Sequence, residues 1–302
     1  MKAPMRILVL GAGGQLGQEL ARQFAGVGEV MACGHQDLDL ADVAHLRTRL
    51  KQMPADVVLN AAAYTAVDRA EAEPDLAMAI NAVAPRILAE VCANAGALLV
   101  HYSTDYVFDG RKSEPWSEKD IPNPLNVYGV SKLAGEQGIR QAGGRFLIFR
   151  TSWVYGPTGK NFLRSMLRLG QERERLSIVD DQIGAPTSTL ELARATRAIV
   201  EGVANGEFGP EQQWTGLYHM TCSGSVSWCG FARTIFSSAS GTLLERVPDV
   251  LPIPTSAYPS PAGRPANSIL SNDKLEKQFG VRLSGWQTAL DEVMDSLRST
   301  KG

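Results

Sequence analysis

An apolar run over residues 6–10 stops at Gly11-Ala12-Gly13-Gly14-Gln15-Leu16-Gly17, and helical spacing of Leu16, Leu20, Ala21 and Phe24 begins at once. Strand, glycine turn and helix follow one another with nothing between them. Glycine lets the backbone turn tightly and approach a pyrophosphate, whose charge the free N–H groups of the helix's first turn can meet. The segment fits G-x-x-G-x-x-G and also contains a G-x-G. A glycine motif alone is a weak signal, because a plain tight turn looks the same. Its place between a strand and a helix makes dinucleotide binding the better reading.

The pattern continues. Short buried strands are expected at residues 30–32, 57–59, 98–102 and 146–151. Helices are expected at 74–94, interrupted near Ala84-Pro85, and at 127–141. Such alternation predicts an α/β fold, a Rossmann-like doubly wound parallel sheet. Functional groups should then gather at the carboxyl ends of the strands, where Gly11, Ala63, Thr104 and Thr151 fall. After Trp153 the alternation weakens. Residues 250–268 hold Pro252, Pro254, Pro259, Pro261 and Pro265 and read as an ordered loop with no helix. The division expected is a dinucleotide-binding domain over 1–155, with 186–222 returning to it. A smaller substrate-binding lobe would come from 156–185 and 223–302.

Composition narrows the function classes. A chain of 302 residues can bury a large core, and a formal net charge of -2 gives no basic surface for nucleic acid. The apolar run at residues 7–10 is too short for a signal peptide, and no run approaches a membrane span. Cys33, Cys92, Cys222 and Cys229 show no C-x-x-C spacing, so buried thiols in a reducing cytoplasm are expected. His35, His45, His101 and His219 lack metal spacing, and His101 and His219, beside apolar strands, are expected to be structural.

Tyr128 and Lys132 carry the chemistry. A phenol is a poor acid near neutrality, with an ordinary pKa of about 10. An ammonium four residues on, along one helical face, should favour the phenolate and lower that value. Y-x-x-x-K also arises by chance on amphipathic helices. Two neighbours strengthen it: Ser103-Thr104 end a strand where a hydroxyl could share a substrate carbonyl, and Gly129-Val130-Ser131 leaves room for a nicotinamide. After the second strand, Cys33-Gly34-His35-Gln36 offers no immediate acid for an adenosine ribose, which leans toward NADPH with NADH open. Asn60-Ala61-Ala62-Ala63 would let a flat cofactor lie close, or serve tight packing. Trp153 would cover a sugar face or fill core, and Arg264 would clamp a diphosphate or stay solvated.

At these residues the chain resembles an extended short-chain dehydrogenase/reductase. More closely it resembles the dTDP-4-dehydrorhamnose reductases. The likeness runs through residues 11–17, 60–68, 101–108, 124–132, 149–155, 181–187 and 264–268. It implies hydride transfer from NADPH or NADH to the C4 ketone of a dTDP-linked 4-keto-6-deoxy sugar, with Tyr128 as proton donor. Thr104 would hold the oxygen, and Lys132 would lower the phenol's pKa and hold ribose hydroxyls. The cofactor would lie along Gly11, Gly13, Gly14, Gln15, Leu16, Gly17, Asp39, Leu40, Ala62, Ala63, Tyr64, Thr65 and Tyr102, with Tyr128 and Lys132. Asp105 and Trp153 match sugar-contacting positions; Asn161, Gln182 and Arg264 are further substrate candidates. Some family members form a magnesium-linked homodimer through glutamates. Glu19 and Glu292 stand at plausible places, but Leu190-Glu191 is out of step, so no metal ligand is assigned. The alternatives are another sugar-nucleotide epimerase, reductase or dehydratase of the superfamily, and a non-catalytic regulatory subunit of the methionine adenosyltransferase type.

Overall fold

The computed structural model describes residues 4–299. Alternate residues of its central strands face opposite sides, and both sides are buried. Val9, Leu59, Val100 and Phe149 belong to one core; Leu8, Leu10, Val58, Leu99 and Ile148 belong to the other. A sheet covered on both faces demands strands that are apolar throughout, which is why these segments show no polar alternation. The six strands are β1 (Met5–Leu10), β2 (Gly28–Cys33), β3 (Val57–Asn60), β4 (Leu98–Thr104), β5 (Phe146–Thr151) and β6 (Gly216–His219). They lie in the order β6-β5-β4-β3-β1-β2, every pair parallel. The chain leaves β1 for β2 on one side and returns to β3 on the other. The crevice opens at that reversal.

Helices α1 (Gln15–Phe24) and α4 (Thr189–Asn205) pack together on one face, and α2 (Ala84–Ala95) and α3 (Val127–Ala142) on the other. Asn126 starts α3: its Oδ1 accepts from the Gly129 N–H at 2.8 Å, and its Nδ2 donates to the Gly263 carbonyl at 2.7 Å. A single residue thus caps the helix bearing Tyr128 and ties it to a segment far along the chain.

Two expectations change. The interruption near Ala84-Pro85 is not a break: Pro74–Met78, a π-turn at Ala79–Val83 and α2 run on continuously. The wider turn carries the chain through the donor that Pro85 lacks. It also turns Asn81 inward, where its amide brackets the Tyr64 backbone and donates to the Ser131 hydroxyl. The proline-rich stretch is not all loop: Asp249–Ile253 forms a strand parallel to Arg175–Val179, and Thr255–Ala257 makes one 3-10 turn. A two-stranded ribbon is all edge, so Pro252 needs no partner for its missing N–H.

By length and composition the helical stretch Pro74–Ala95 reaches the size of a membrane span, contrary to the expectation that no run does. Half of that window is buried inside the protein, α2 packing on β4 and α3, which is the place of a core helix. All four cysteines are free and buried, and burial pushes the Cys92 and Cys222 thiols up to about 12.

Candidate active site

A cleft of about 800 Å³ opens between the ends of β1 and β3. Its floor is the glycine turn. Gly11 has φ 76°, and a Cβ there would stand 2.7 Å from the Ala62 nitrogen; a Cβ on Gly17 would stand 2.1 Å from the Gly11 carbonyl oxygen. Only hydrogen fits at either place. Gly13 faces open space, and α1 begins at Gly14 with no side-chain cap, so its first N–H groups are left for a ligand. An uncapped helix behind a glycine turn suits an anionic diphosphate, and the cleft has room for a dinucleotide.

Gly11, Gly13, Gly14, Gln15 and Leu16 line this cleft. Asp39, Leu40, Ala62, Ala63, Thr65, Tyr102, Tyr128 and Lys132 line it as well. Two expected residues stand behind the wall. Gly17 packs beneath the turn, and Tyr64 turns its hydroxyl to Glu73 at 2.5 Å. Thr151, expected at a strand's carboxyl end, also lines the cleft, and Val154, Gly159 and Lys160, to which sequence reading assigned no role, close it from the chain after β5. Gly159 lies 3.2 Å, measured from an added Cβ, from the Gln15 Cβ, a contact no local pattern announces.

Tyr128 and Lys132 sit one turn apart on α3, and Lys132 is fully enclosed at 1 % exposure. The phenol stands above its ordinary value, not below it as expected. Burial pushes the Tyr128 phenol up to about 12, against the hydrogen bond from Thr104. Burial also pulls the Lys132 ammonium down to about 8, opposed by the Glu136 charge. Both groups lose water, and desolvation outweighs attraction. Lys132 Nζ donates to the Tyr102 carbonyl at 2.6 Å and lies 3.2 Å from His101 Nε2, so His101 has a partner in the site and is more than structural filling. One turn further, Glu136 accepts two bonds from Arg150, at 2.8 and 2.6 Å, and one from Ser103.

Next to the phenol, the Thr104 hydroxyl donates to Asp105 Oδ1 at 3.0 Å. The Asp105 carboxyl is buried. Burial pushes this carboxyl up to about 6, with the Ser268 and Thr104 hydroxyls acting against it. Segments of the second half pair with one another, and one of them brings Ser268 to Asp105. Ile183 and Ser268 exchange backbone bonds with the 266–268 and 183 segments, and Gln182 Nε2 donates to Thr255 Oγ1 at 3.0 Å. Arg264 pairs with Asp68 at 2.9 Å, and its charge also acts on the Tyr106 phenol, whose ring meets that of Tyr128 at 5.6 Å. Trp153 is the one non-glycine with positive φ (49°) among the described residues. Its ring stacks on Trp228 at 3.5 Å and crowds Gly184, where a Cβ would come within 2.5 Å. Such backbone strain in a bulky residue persists only where surrounding structure enforces it. Trp228 was not foreseen.

Asn161 stands elsewhere. It caps the helix Phe162–Glu172 and donates to Gln15 Oε1 at 3.0 Å, so it steadies the glycine turn on the cofactor side. Glu19 bonds Arg22 and Gln23, Glu191 accepts from the Ser284 N–H, and Glu292 pairs with Arg194. Among the described residues no three His, Cys, Asp or Glu side chains converge to hold a metal.

The parallel sheet flanked by helices is Rossmann-like, and the fold is that of the extended short-chain dehydrogenase/reductases. The UDP-glucose 4-epimerase of Thermus thermophilus, solved with NAD, shares the fold with a TM-score of 0.77, 97% of this chain and 99% of that one covered, at 22% identity. Within the class, the chain belongs to the RmlD substrate binding domain family, whose pattern it matches over residues 5–299. A dTDP-4-dehydrorhamnose reductase of Burkholderia thailandensis is 48% identical, covering 98% of this chain and 100% of the relative. The structure of dTDP-4-dehydrorhamnose reductase from Bacillus anthracis in complex with NADP superposes with a TM-score of 0.89 at 35% identity, covering 97% of this chain and 99% of the other.

Proposed function

We propose that this chain reduces the C4 ketone of dTDP-4-dehydro-beta-L-rhamnose to dTDP-beta-L-rhamnose, using NADPH or NADH. The observation that supports this reading is that Tyr128 and Lys132 line the glycine-floored cleft, with the Thr104 hydroxyl bonding to the phenol. The dinucleotide, when bound, supplies the hydride.

The chain's own groups do the rest. The glycine turn and the uncapped start of α1 hold the diphosphate. Lys132 reaches the nicotinamide end, and Thr104 and Tyr128 hold the ketone oxygen. Tyr128 gives that oxygen its proton as the carbonyl becomes an alcohol. A phenol held near 12 stays protonated at neutral pH, as a proton donor must, and needs a nearby cation as its charge develops. Asp105, Trp153 and Arg264 orient the sugar nucleotide, Arg264 being free to exchange Asp68 for a phosphate. Four buried free thiols accord with a cytoplasmic setting.

The test follows absorbance of NADPH or NADH with dTDP-4-dehydro-beta-L-rhamnose and identifies the product. Cofactor consumption with dTDP-beta-L-rhamnose formed is expected. Protein that binds dinucleotide yet consumes neither cofactor would move the assignment to another keto-sugar or to a binding role.

A further inference from the structure

Behind Lys132 lie two buried polar side chains in file that the reaction above does not use. Asn60, at 1 % exposure, ends β3, and His101, at 0 %, lies beside it on β4 in register. Asn60 Nδ2 stands 3.0 Å from His101 Nδ1, and His101 Nε2 stands 3.2 Å from Lys132 Nζ. Which atoms carry protons follows from one fixed donor. The Ala62 backbone N–H, at the cleft wall, donates to Asn60 Oδ1 at 3.2 Å. That holds the Asn60 oxygen toward Ala62 and turns its amide N–H toward His101 Nδ1, which must then be the bare, accepting nitrogen. The proton of a neutral imidazole therefore sits on Nε2, aimed at the lysine. An ammonium has three donors and no acceptor, whereas a neutral amine can accept from Nε2–H and still donate to the Tyr102 carbonyl.

We propose that Asn60 and His101 are positioning residues that set the pH at which Lys132 charges, by presenting it with a donor where most lysines meet an acceptor. The proposal rests on reading Lys132 as the cation beside Tyr128. The other groups facing the lysine do not reverse it. On its own helix, Tyr128 is a neutral phenol, and Glu136 is matched by the bidentate Arg150 of β5. From β4, the Ser103 hydroxyl is committed to Glu136, and the Tyr102 hydroxyl bonds Thr196 at 2.7 Å. From the π-turn, Asn81 is neutral and bound to Ser131. Burial acts in the same direction, drawing both Lys132 and His101 toward their neutral forms.

The experiment has two arms. Imidazole 15N NMR of the full-length protein, with His101 assigned by its loss in His101→Gln, should show a bare Nδ1 and a protonated Nε2 that do not titrate near neutral pH. A protonated Nδ1 overturns the proposal without reference to activity. Asn60→Asp keeps one oxygen for the Ala62 N–H and offers the other to Nδ1–H, favouring the Nδ1–H tautomer so that Nε2 accepts from the lysine. The lysine 13Cε titration should then rise by roughly one to three pH units, the effect of a close favourable charge partner. The alkaline fall in kcat/KM should rise with it. An unchanged titration and profile in a folded variant would overturn the idea; if the variant fails to fold, the tautomer in the parent protein decides. If the tautomer and the lysine titration behave as stated while no keto-sugar is reduced, the functional reading fails and the hydrogen-bonded file stands.

Discussion

Two basic side chains are buried against the inner face of α3, Lys132 on the helix itself and Arg150 from β5, and they are treated in opposite ways. Arg150 reaches α3 from β5 and is matched: both its bonded nitrogens go to Glu136, and its guanidinium lies 5.0 Å over the Phe108 ring. Lys132 has no carboxylate of its own. It meets a carbonyl and an imidazole, and burial depresses its pKa. The same helix face thus meets one cation whose charge is fixed, through Glu136, and carries one whose charge is conditional. A paired guanidinium is a structural part, since removing either partner strands a charge. An unpaired lysine at the end of a ligand cleft is costly to the fold and useful to chemistry.

The contrast can be broken by exchanging the two roles. Lys132→Met should show the largest effect, a loss of kcat on the order of 10²–10⁴-fold, the usual range for removing a group that works on the transferred proton. Its stability at pH 7 should stay within about 2 kcal/mol of the parent, because a stranded carbonyl costs about 1–3 kcal/mol and a charge-burial penalty of similar size is removed with the lysine. Chemical denaturation and steady-state kinetics on one preparation read both. Arg150→Met should do the reverse. Leaving Glu136 buried and alone costs roughly 3–5 kcal/mol, with kcat per folded molecule little changed. Glu136→Gln combined with Arg150→Met should recover much of that loss; if the double variant is as unstable as the single, the pair is not what holds this region.

The smallest expected effect is a pH dependence. Lys132 is near 8 in the folded protein, against about 10.4 in an unfolded chain. Between those values the unfolded state holds the proton and the folded state has released it, so stability contributed by this group rises with pH. The gain, at most about 3 kcal/mol, should appear between about pH 8 and pH 10 in the parent and be absent in Lys132→Met. Denaturation midpoints across that range check it, and parallel curves for the two proteins would contradict the depressed lysine.

What the sequence made legible was local. The glycine turn could be read because its constraint, no room for a Cβ at Gly11 and Gly17, is written in consecutive residues. The buried strands could be read from apolar runs of the right length, and Tyr128 with Lys132 from helical spacing. What stayed hidden depends on distant partners. Asn161 belongs to Gln15, 146 positions away, and so serves the cofactor side. Trp228 meets Trp153 only because the second half folds back over the first. Pro252 reads as loop until Arg175–Val179 is seen beside it. The direction of the phenol's shift was also out of reach, because spacing places two groups on one helical face but says nothing of the water taken from them.

The account's central claim is that the conditional half of α3 does chemistry and the fixed half does not. Turnover of dTDP-4-dehydro-beta-L-rhamnose by Tyr128→Phe, measured beside Arg150→Met at a temperature where both are folded, tests it most directly. The account predicts that Tyr128→Phe binds dinucleotide like the parent and loses kcat by about 10²–10⁴-fold, while Arg150→Met keeps kcat near the parent value. A Tyr128→Phe enzyme that turns over normally, or an Arg150→Met enzyme equally dead though folded, would contradict it.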